Sequence, residues 1–522
     1  KGAVQEPNAF LERHLLKSSY ALFDIIKEMG LIDKVGFKDL GAGGVACASV
    51  ELAETSGYGS EVWLDRVHTG MEGLHPSIYL CSETQERFMW VCPPDITQLI
   101  LDHYNKIYNL PAVSDGAMAS QIGKIRSDGQ YVVHYNGETI IDAKANQVTR
   151  GFLYERKFTA INKKDDTPVL DQVADYGSIL LKLLSHENIA SRKSVYDKYD
   201  KQVQGRIIME SGRADSGVMA PFNSKNYPKE IRKTGIALST DHNPLYGMVD
   251  PYWAGVNAVV ESMRNVASVG ATPHALTDCL CFGNPEKENQ MWEFVESVRG
   301  ISDACNAITL KDNPIHATPI IAGNVSFYNE SRNGSIPASP IVSCLGKIND
   351  INKTIGMAFT SLGSNIVMVG QRKNEMGGSA YFHLNNELGT NLPKPDLQEV
   401  KKQIYGLTDC IDNNMVLSCH DISDGGIAVA LAEMTFKNNI GCNVSIESDL
   451  RIDEILFSET GGFILEVNDE NIHSITNCFS KYDLEVFVIG KTVSKNIMIN
   501  EEINISIEQG RDAWENGLTN KL

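Results

Sequence analysis

A carboxylate stands directly before a glycine-rich turn in Lys38-Asp39-Leu40-Gly41-Ala42-Gly43-Gly44. An apolar lead (Val35, Phe37) precedes it, and small helix-compatible residues from Val45 to Ala53 follow. That order predicts strand, glycine turn, helix. Glycines let a backbone approach a ligand closely and leave free N–H groups at a helix N-terminus, which suits phosphate. Asp39, at the strand end, is placed to hold a divalent cation. Most such turns serve only packing, so recurrence is what gives this one weight. Cys419 to Glu433 repeats the plan: Asp39 and Asp421, Gly43 and Gly425, Gly44 and Gly426, and Glu51 and Glu433 are each 382 positions apart. Ser82-Glu83-Thr84 returns as Ser458-Glu459-Thr460 at an offset of 376, so the first copy carries about six extra residues, expected in a loop. A repeat of this length is a duplicated domain.

A second group lies between the copies. Asp241, Asp278 and Asn324 are each expected to close an apolar strand or open the loop after it. Two carboxylates and an amide are hard oxygen ligands suited to Mg²⁺, which neutralises nucleotide phosphates. Gly323 permits close backbone approach, and Ser326 offers a hydroxyl to a substrate oxygen. Singly, Asp and Asn at such ends read as Asx turns or caps. The group carries the argument.

The elements that position these residues follow from periodicity. Residues 5–34 read as a helix, with Phe10, Leu11, Leu15, Leu16, Phe23 and Ile26 near helical spacing. Short strands are expected at 61–64, 88–91, 122–125 and 131–135. Residues 1–150 form the first copy (b), 151–205 a polar connector with a Leu180–Leu184 apolar run, 206–353 a different unit (a), and 354–522 the second copy (b). Within 206–353 the reading is strand 235–241, helix 254–270, strand 275–280, helix 291–307 and strand 318–322. The strand Asn365–Gly370 that opens the second copy has no counterpart after Lys1, so the chain is expected to begin inside a domain, as a b-a-b piece lacking its leading a.

Composition narrows the class. The chain has 522 residues, a net charge of −19 and 42% hydrophobic residues. That charge argues against nucleic acid or an anionic membrane as the main partner. No apolar run is long enough for a membrane span, and Lys1-Gly2-Ala3-Val4-Gln5 shows no signal-peptide pattern. Eleven cysteines lack metal-type spacing; Cys279-Leu280-Cys281 is the only close pair and reads as buried strand residues. The expectation is a cytoplasmic protein.

Taken together, Asp39 to Gly44, Ser82 to Arg87, Thr277 to Lys287, Gly323 to Glu330 and His420 to Gly426 resemble the phosphoribosylformylglycinamidine synthase family over essentially the whole chain. The family lies within the aminoimidazole-ribonucleotide-synthetase superfamily. The resemblance implies an α+β fold of duplicated two-domain units in layers. It implies a ligase of purine biosynthesis that uses ATP and Mg²⁺ to amidate formylglycinamide ribonucleotide through an iminophosphate. Ammonia would come from a separate glutaminase subunit with a small bridging subunit. By motif match, Gln5, Glu83, Thr84, Gln85 and Ser326 are substrate contacts, Asp278 and Gly323 ATP contacts, and Asp39 and Asn324 metal ligands. Asp421, Asp424, Gly425 and Gly426 form a second nucleotide site, to which His420 also belongs. Thr84 stands where the family usually has Ser. The family's catalytic His lies in the leading a domain, so none is assigned here. The middle unit is expected to serve the first copy, with Asp421, Asp424 and Ser458 facing the missing domain. The alternatives are another superfamily synthetase or kinase, or a non-catalytic nucleotide-binding fragment.

Overall fold

The computed structural model describes residues 8–522 apart from 70, 72, 152 and 162–165; the Gln85 side chain and all of Gln5 lie outside it. The chain divides into two compact units, residues 1–155 and 156–522.

The first unit opens with the helix Ala9–Glu28, whose first turn is capped by the Asn8 side chain and whose apolar stripe buries Leu11, Leu15, Leu22 and Ile26. Its strands are β1 (Gly36–Leu40), β2 (Gly59–Trp63), β3 (Thr84–Val91), β4 (Gly123–Arg126), β5 (Gln130–Tyr135) and β6 (Glu138–Lys144). β1 pairs antiparallel with β3, and the other four form a sheet in the order β4-β2-β5-β6. The helix Gly44–Glu54 follows the glycine turn and buries Val45, Ala48, Val50 and Ala53.

The second unit holds the middle region and the second copy. The strands of the middle region are β7 (Ile207–Met209), β8 (Gly217–Met219), β9 (Gly235–Asp241), β10 (Thr272–Cys281), β11 (Ile320–Ser326), the short hairpin β12 (Glu330–Ser331) and β13 (Gly334–Ser335), and β14 (Ser339–Ile348). Six of them order as β11-β10-β14-β9-β8-β7, with only β10 and β11 parallel. The helix Glu288–Ala307 makes that parallel crossover. The helix Pro251–Ser268 is started by Asp250, which accepts from Tyr252 N and Trp253 N, and is buried along nearly its whole length. Alternation along β9 buries Ala237 and Ser239 and exposes Leu238 and Thr240, so one sheet face carries the helices and the other is open.

The second copy comprises β15 (Asn365–Val369), β16 (Ser418–Ile422), β17 (Gly441–Val444), β18 (Gly462–Val467), β19 (Val486–Val493), β20 (Ile497–Ile499) and β21 (Ile503–Ile505), in one sheet ordered β16-β18-β15-β19-β17-β20-β21. One apolar core runs from Val256, Val259 and Met263 of the middle region into Ile404, Leu407 and Leu465 of the second copy. A second core joins Ile427, Leu431 and Phe457 to Leu180, Leu183 and Leu184, so the helix Tyr176–Leu184 of the connector is built into the second copy.

Three expectations change. β10 and β11 are longer than the apolar runs suggested, so Asp278 and Asn324 lie within paired strands; only Asp241 ends its strand. Cys279 and Cys281 are half-exposed, because from Thr277 onward the odd positions of β10 point to the open face. The second copy does not reserve Asp421, Asp424 and Ser458 for another domain: its acidic turn packs on the middle region, as described next.

Candidate functional site

In the first copy the β1–turn–helix junction is open. Asp39 is exposed, and its Oδ2 accepts from Gly41 N at 3.0 Å. Gly43, at φ 73°, donates its N–H to Glu83 Oε1 at 3.1 Å. Glu83 is exposed, so Asp39, the glycine amides and Glu83 gather at one accessible turn. Thr84 is buried and its hydroxyl donates to Glu86. Arg87 braces the turn by donating to Ser82 O at 2.8 Å. Behind it, Lys38 pairs with Glu51.

The middle region sets Asp278 opposite Gly323 in the parallel ladder. A Cβ at position 323 would run into the Asp278 carboxylate, so glycine makes that approach feasible. Burial raises Asp278 above the usual carboxylate range. Asn324 is exposed. Ser326 Oγ lies 3.2 Å from Asn329 Nδ2, which can donate to it.

In the second copy the same turn is closed. Gly425 N donates to Glu459 Oε1 at 2.9 Å, Ala380 N donates to the same oxygen at 2.8 Å, and Tyr246 OH donates to Glu459 Oε2 at 2.7 Å. Asp424 accepts from Asn243 Nδ2 at 3.3 Å, and Asp421 N donates to Asp215 Oδ2 at 3.0 Å. His420 is held between Asp215 (Nδ1 to Oδ1, 2.7 Å) and Glu433 (Nε2 to Oε2, 3.0 Å). Arg372 donates to the Ser458 and Thr460 carbonyls.

Negative charge dominates this cluster. Burial, with help from neighbouring carboxylates, pushes Asp241 and Asp421 up to about 7, Asp424 to about 6 and Glu459 to about 8. Glu261 rises well above its usual value through burial and through Asp241, Asp424 and Asp421. Burial opposes charge on His420, but Asp215 and Glu433 outweigh it and raise the imidazole well above its ordinary range. Asp241 Oδ2, Asp421 Oδ2 and Asn265 Oδ1 are buried without a hydrogen-bond partner. Buried acceptors left unpaired are costly, and a hard cation satisfies them. One ligand atom each from Asp215, His420 and Asp421 also lie within 4.8 Å of one another. The oxygen donors of this set, Asp215, Asp241, Asp421 and Asn265, fit Mg²⁺, while His420 is held as a charged partner of Asp215 and Glu433.

Comparison with known proteins matches this architecture. The AIR synthase related protein C-terminal domain matches residues 1–136 and 362–499, and the N-terminal domain matches residues 215–348. Phosphoribosylformylglycinamidine synthase subunit PurL of Methanothrix thermoacetophila is 39% identical over 99% of this chain and 67% of its own length. The chain belongs to the PurL family. PurL of Methanocaldococcus jannaschii is 34% identical over 97% of the chain and 67% of its own length. Among solved structures, T. maritima PurL complexed with ATP has a TM-score of 0.61 at 20% identity, covering 94% of this chain and 68% of that one. PurLQS from Thermotoga maritima gives 0.63 at 20% identity, over 94% and 68%. These structures share the PurL fold.

Sequence reasoning missed Asp215, Asn243, Tyr246, Glu261, Arg264 and Asn265. Glu261, Arg264 and Asn265 carried a signal: they fall at i, i+3 and i+4, one face of an otherwise apolar helix. Asp215 had none, since it meets Asp421 only through the fold.

Proposed function

We propose that this chain serves, as part of the complete synthetase, the ATP-dependent amidation of formylglycinamide ribonucleotide to formylglycinamidine ribonucleotide in purine biosynthesis. The observation that carries the reading is identity to a named PurL over 99% of the chain. The T. maritima PurL structures with ATP and with FGAR support a nucleotide and this ribonucleotide as ligands. In this reading Asp39 and Asn324 hold Mg²⁺, Asp278 and Gly323 contact ATP, and Gln5, Glu83, Thr84, Gln85 and Ser326 contact substrate. Preorganised donors such as the glycine-turn amides stabilise charge that develops on transferred phosphoryl oxygens. Asp421, Asp424, Gly425 and Gly426, with the unpaired carboxylates around them, hold a second nucleotide through Mg²⁺, with little turnover.

Ammonia comes from a separate glutaminase subunit with a small bridging subunit, an assembly that the T. maritima PurLQS structure supports by analogy of fold. The reading places the enzyme in the cytoplasm; among the described residues no helix is long and apolar enough to cross a membrane.

The test is phosphate release by the complete synthetase with ATP, Mg²⁺, formylglycinamide ribonucleotide and ammonium chloride. Release should require all four, and Asp39→Asn should abolish it while leaving the fold intact. Release that ignores the ribonucleotide, or an Asp39→Asn variant of normal rate, would refute the reading.

A further inference from the structure

Cys279 and Cys281 are two residues apart on β10, so both side chains project from the same sheet face. Their sulfurs stand 3.8 Å apart. Two thiolates held about 2.3 Å from a tetrahedral zinc-class ion have sulfurs roughly 3.8 Å apart. The pair therefore already spans the edge of such a coordination shell. Asn324 is the cross-strand neighbour of Cys279, and its amide nitrogen lies 3.8 Å from the Cys279 sulfur. A half-turn of that amide presents its oxygen to the same point. Both cysteines are half-exposed, whereas Cys305, Cys344, Cys410, Cys419, Cys442 and Cys478 are buried.

We infer that Cys279 and Cys281 form a bidentate site for a thiophilic divalent cation, with Asn324 as a third ligand and solvent completing the shell. On binding, each thiol gives its proton to solvent and its sulfur lone pair to the ion. Because binding displaces both thiol protons, it weakens as pH falls. Cys281 lies opposite Ser326 in the ladder as Cys279 does Asn324. A soft cation on the pair thus sits against two residues assigned above to Mg²⁺ and substrate, and blocks them. That consequence rests on the proposed function; the cation site does not.

The experiment titrates the full, reduced chain with Cd²⁺ and reads sulfur-to-cadmium charge-transfer absorbance. One equivalent should saturate the signal. Cys279→Ser and Cys281→Ser should each lose it, with affinity falling by at least ~10-fold, while Cys47→Ser and Cys81→Ser keep it. Thermal melting without metal should show every variant folded. An unchanged signal in the folded Cys279→Ser/Cys281→Ser double variant overturns the site. A second arm measures binding of an ATP analogue with and without Cd²⁺. Cd²⁺ that binds the pair yet leaves nucleotide affinity unchanged upholds the cation site and counts against nucleotide placement at Asn324.

Discussion

The two copies of the repeated domain share a backbone plan and differ in what covers it. β1 and β16 fall at Gly36–Leu40 and Ser418–Ile422, and the helices after the glycine turns at Gly44–Glu54 and Gly426–Phe436. The short helices before the Ser-Glu-Thr runs fall at Pro76–Cys81 and Ile452–Phe457. β4-β2-β5-β6 repeats as β19-β17-β20-β21, with the same parallel and antiparallel pairs. In the second copy β15 joins this set to β16 and β18; among the described residues the first copy has no such strand, and its strands stay in two sheets. In both copies the turn glycine donates to the Glu of the Ser-Glu-Thr run. Glu83 is exposed, however, while Glu459 is 3% exposed and saturated with donors. Where the first copy has a part-exposed Lys38–Glu51 pair, the second has a buried His420 between Glu433 and Asp215. The lesson is that the same glycine turn stays open to solvent in one copy and is closed over in the other by Asp215, Asn243 and Tyr246 of the middle region.

The largest effect that would sharpen this contrast is on pH. Asp241, Asp421, Asp424 and Glu459 have folded values raised above their unfolded ones. Their contribution to stability is full below about pH 4 and is lost as pH rises towards about 8, a swing on the order of several kcal/mol. Calorimetry without divalent ions should therefore show the transition of residues 156–522 falling from pH 5 to pH 8. Mg²⁺ should raise it far more at pH 8 than at pH 5. A flat profile would show that the closed turn is not charge-strained.

Next come the glycines themselves. Gly44 and Gly426 sit at φ 55° and 72°. A Cβ would run into the Ser82 carbonyl in the first copy and stand 2.7 Å from the Ser458 carbonyl in the second. Each Gly→Ala change should cost about 3 kcal/mol in urea unfolding, more at Gly44. Equal stability of Gly44→Ala and the parent protein would break the structural equivalence.

Glu459→Ala should then cost about 2–3 kcal/mol by leaving Gly425 N, Ala380 N and Tyr246 OH unpaired. Glu83→Ala should stay within about 0.5 kcal/mol of the parent protein while weakening ribonucleotide binding in titration calorimetry. Similar stability losses at the two sites would erase the open–closed distinction.

The smallest effect concerns position 461, glycine where the first copy has Gln85. A Cβ there would overlap the Arg264 guanidinium, which fills the space. Gly461→Gln should cost about 2 kcal/mol alone and clearly less in an Arg264→Ala background, a coupling read from a double-mutant cycle. Additive costs would mean that Arg264 is not what excludes the side chain.

Sequence alone determined the duplication, the strand–turn–helix junctions and the family. Those rest on local rules: glycine where φ is positive, small residues where a helix packs on a strand, apolar periodicity elsewhere. It misjudged the ends of β10 and β11, because pairing with β14 carries β10 through Asp278 and pairing with β10 carries β11 through Asn324. Only the tertiary structure decided that Asp421 and Asp424 meet Asp215, Asn243 and Asp241. Those partners are some 180 to 206 positions distant in the chain, brought together by a shared core. Whether a carboxylate is a solvated turn residue like Asp39 or a raised, unpaired group like Asp421 depends on desolvation and neighbouring charge, and neither is written in the local sequence.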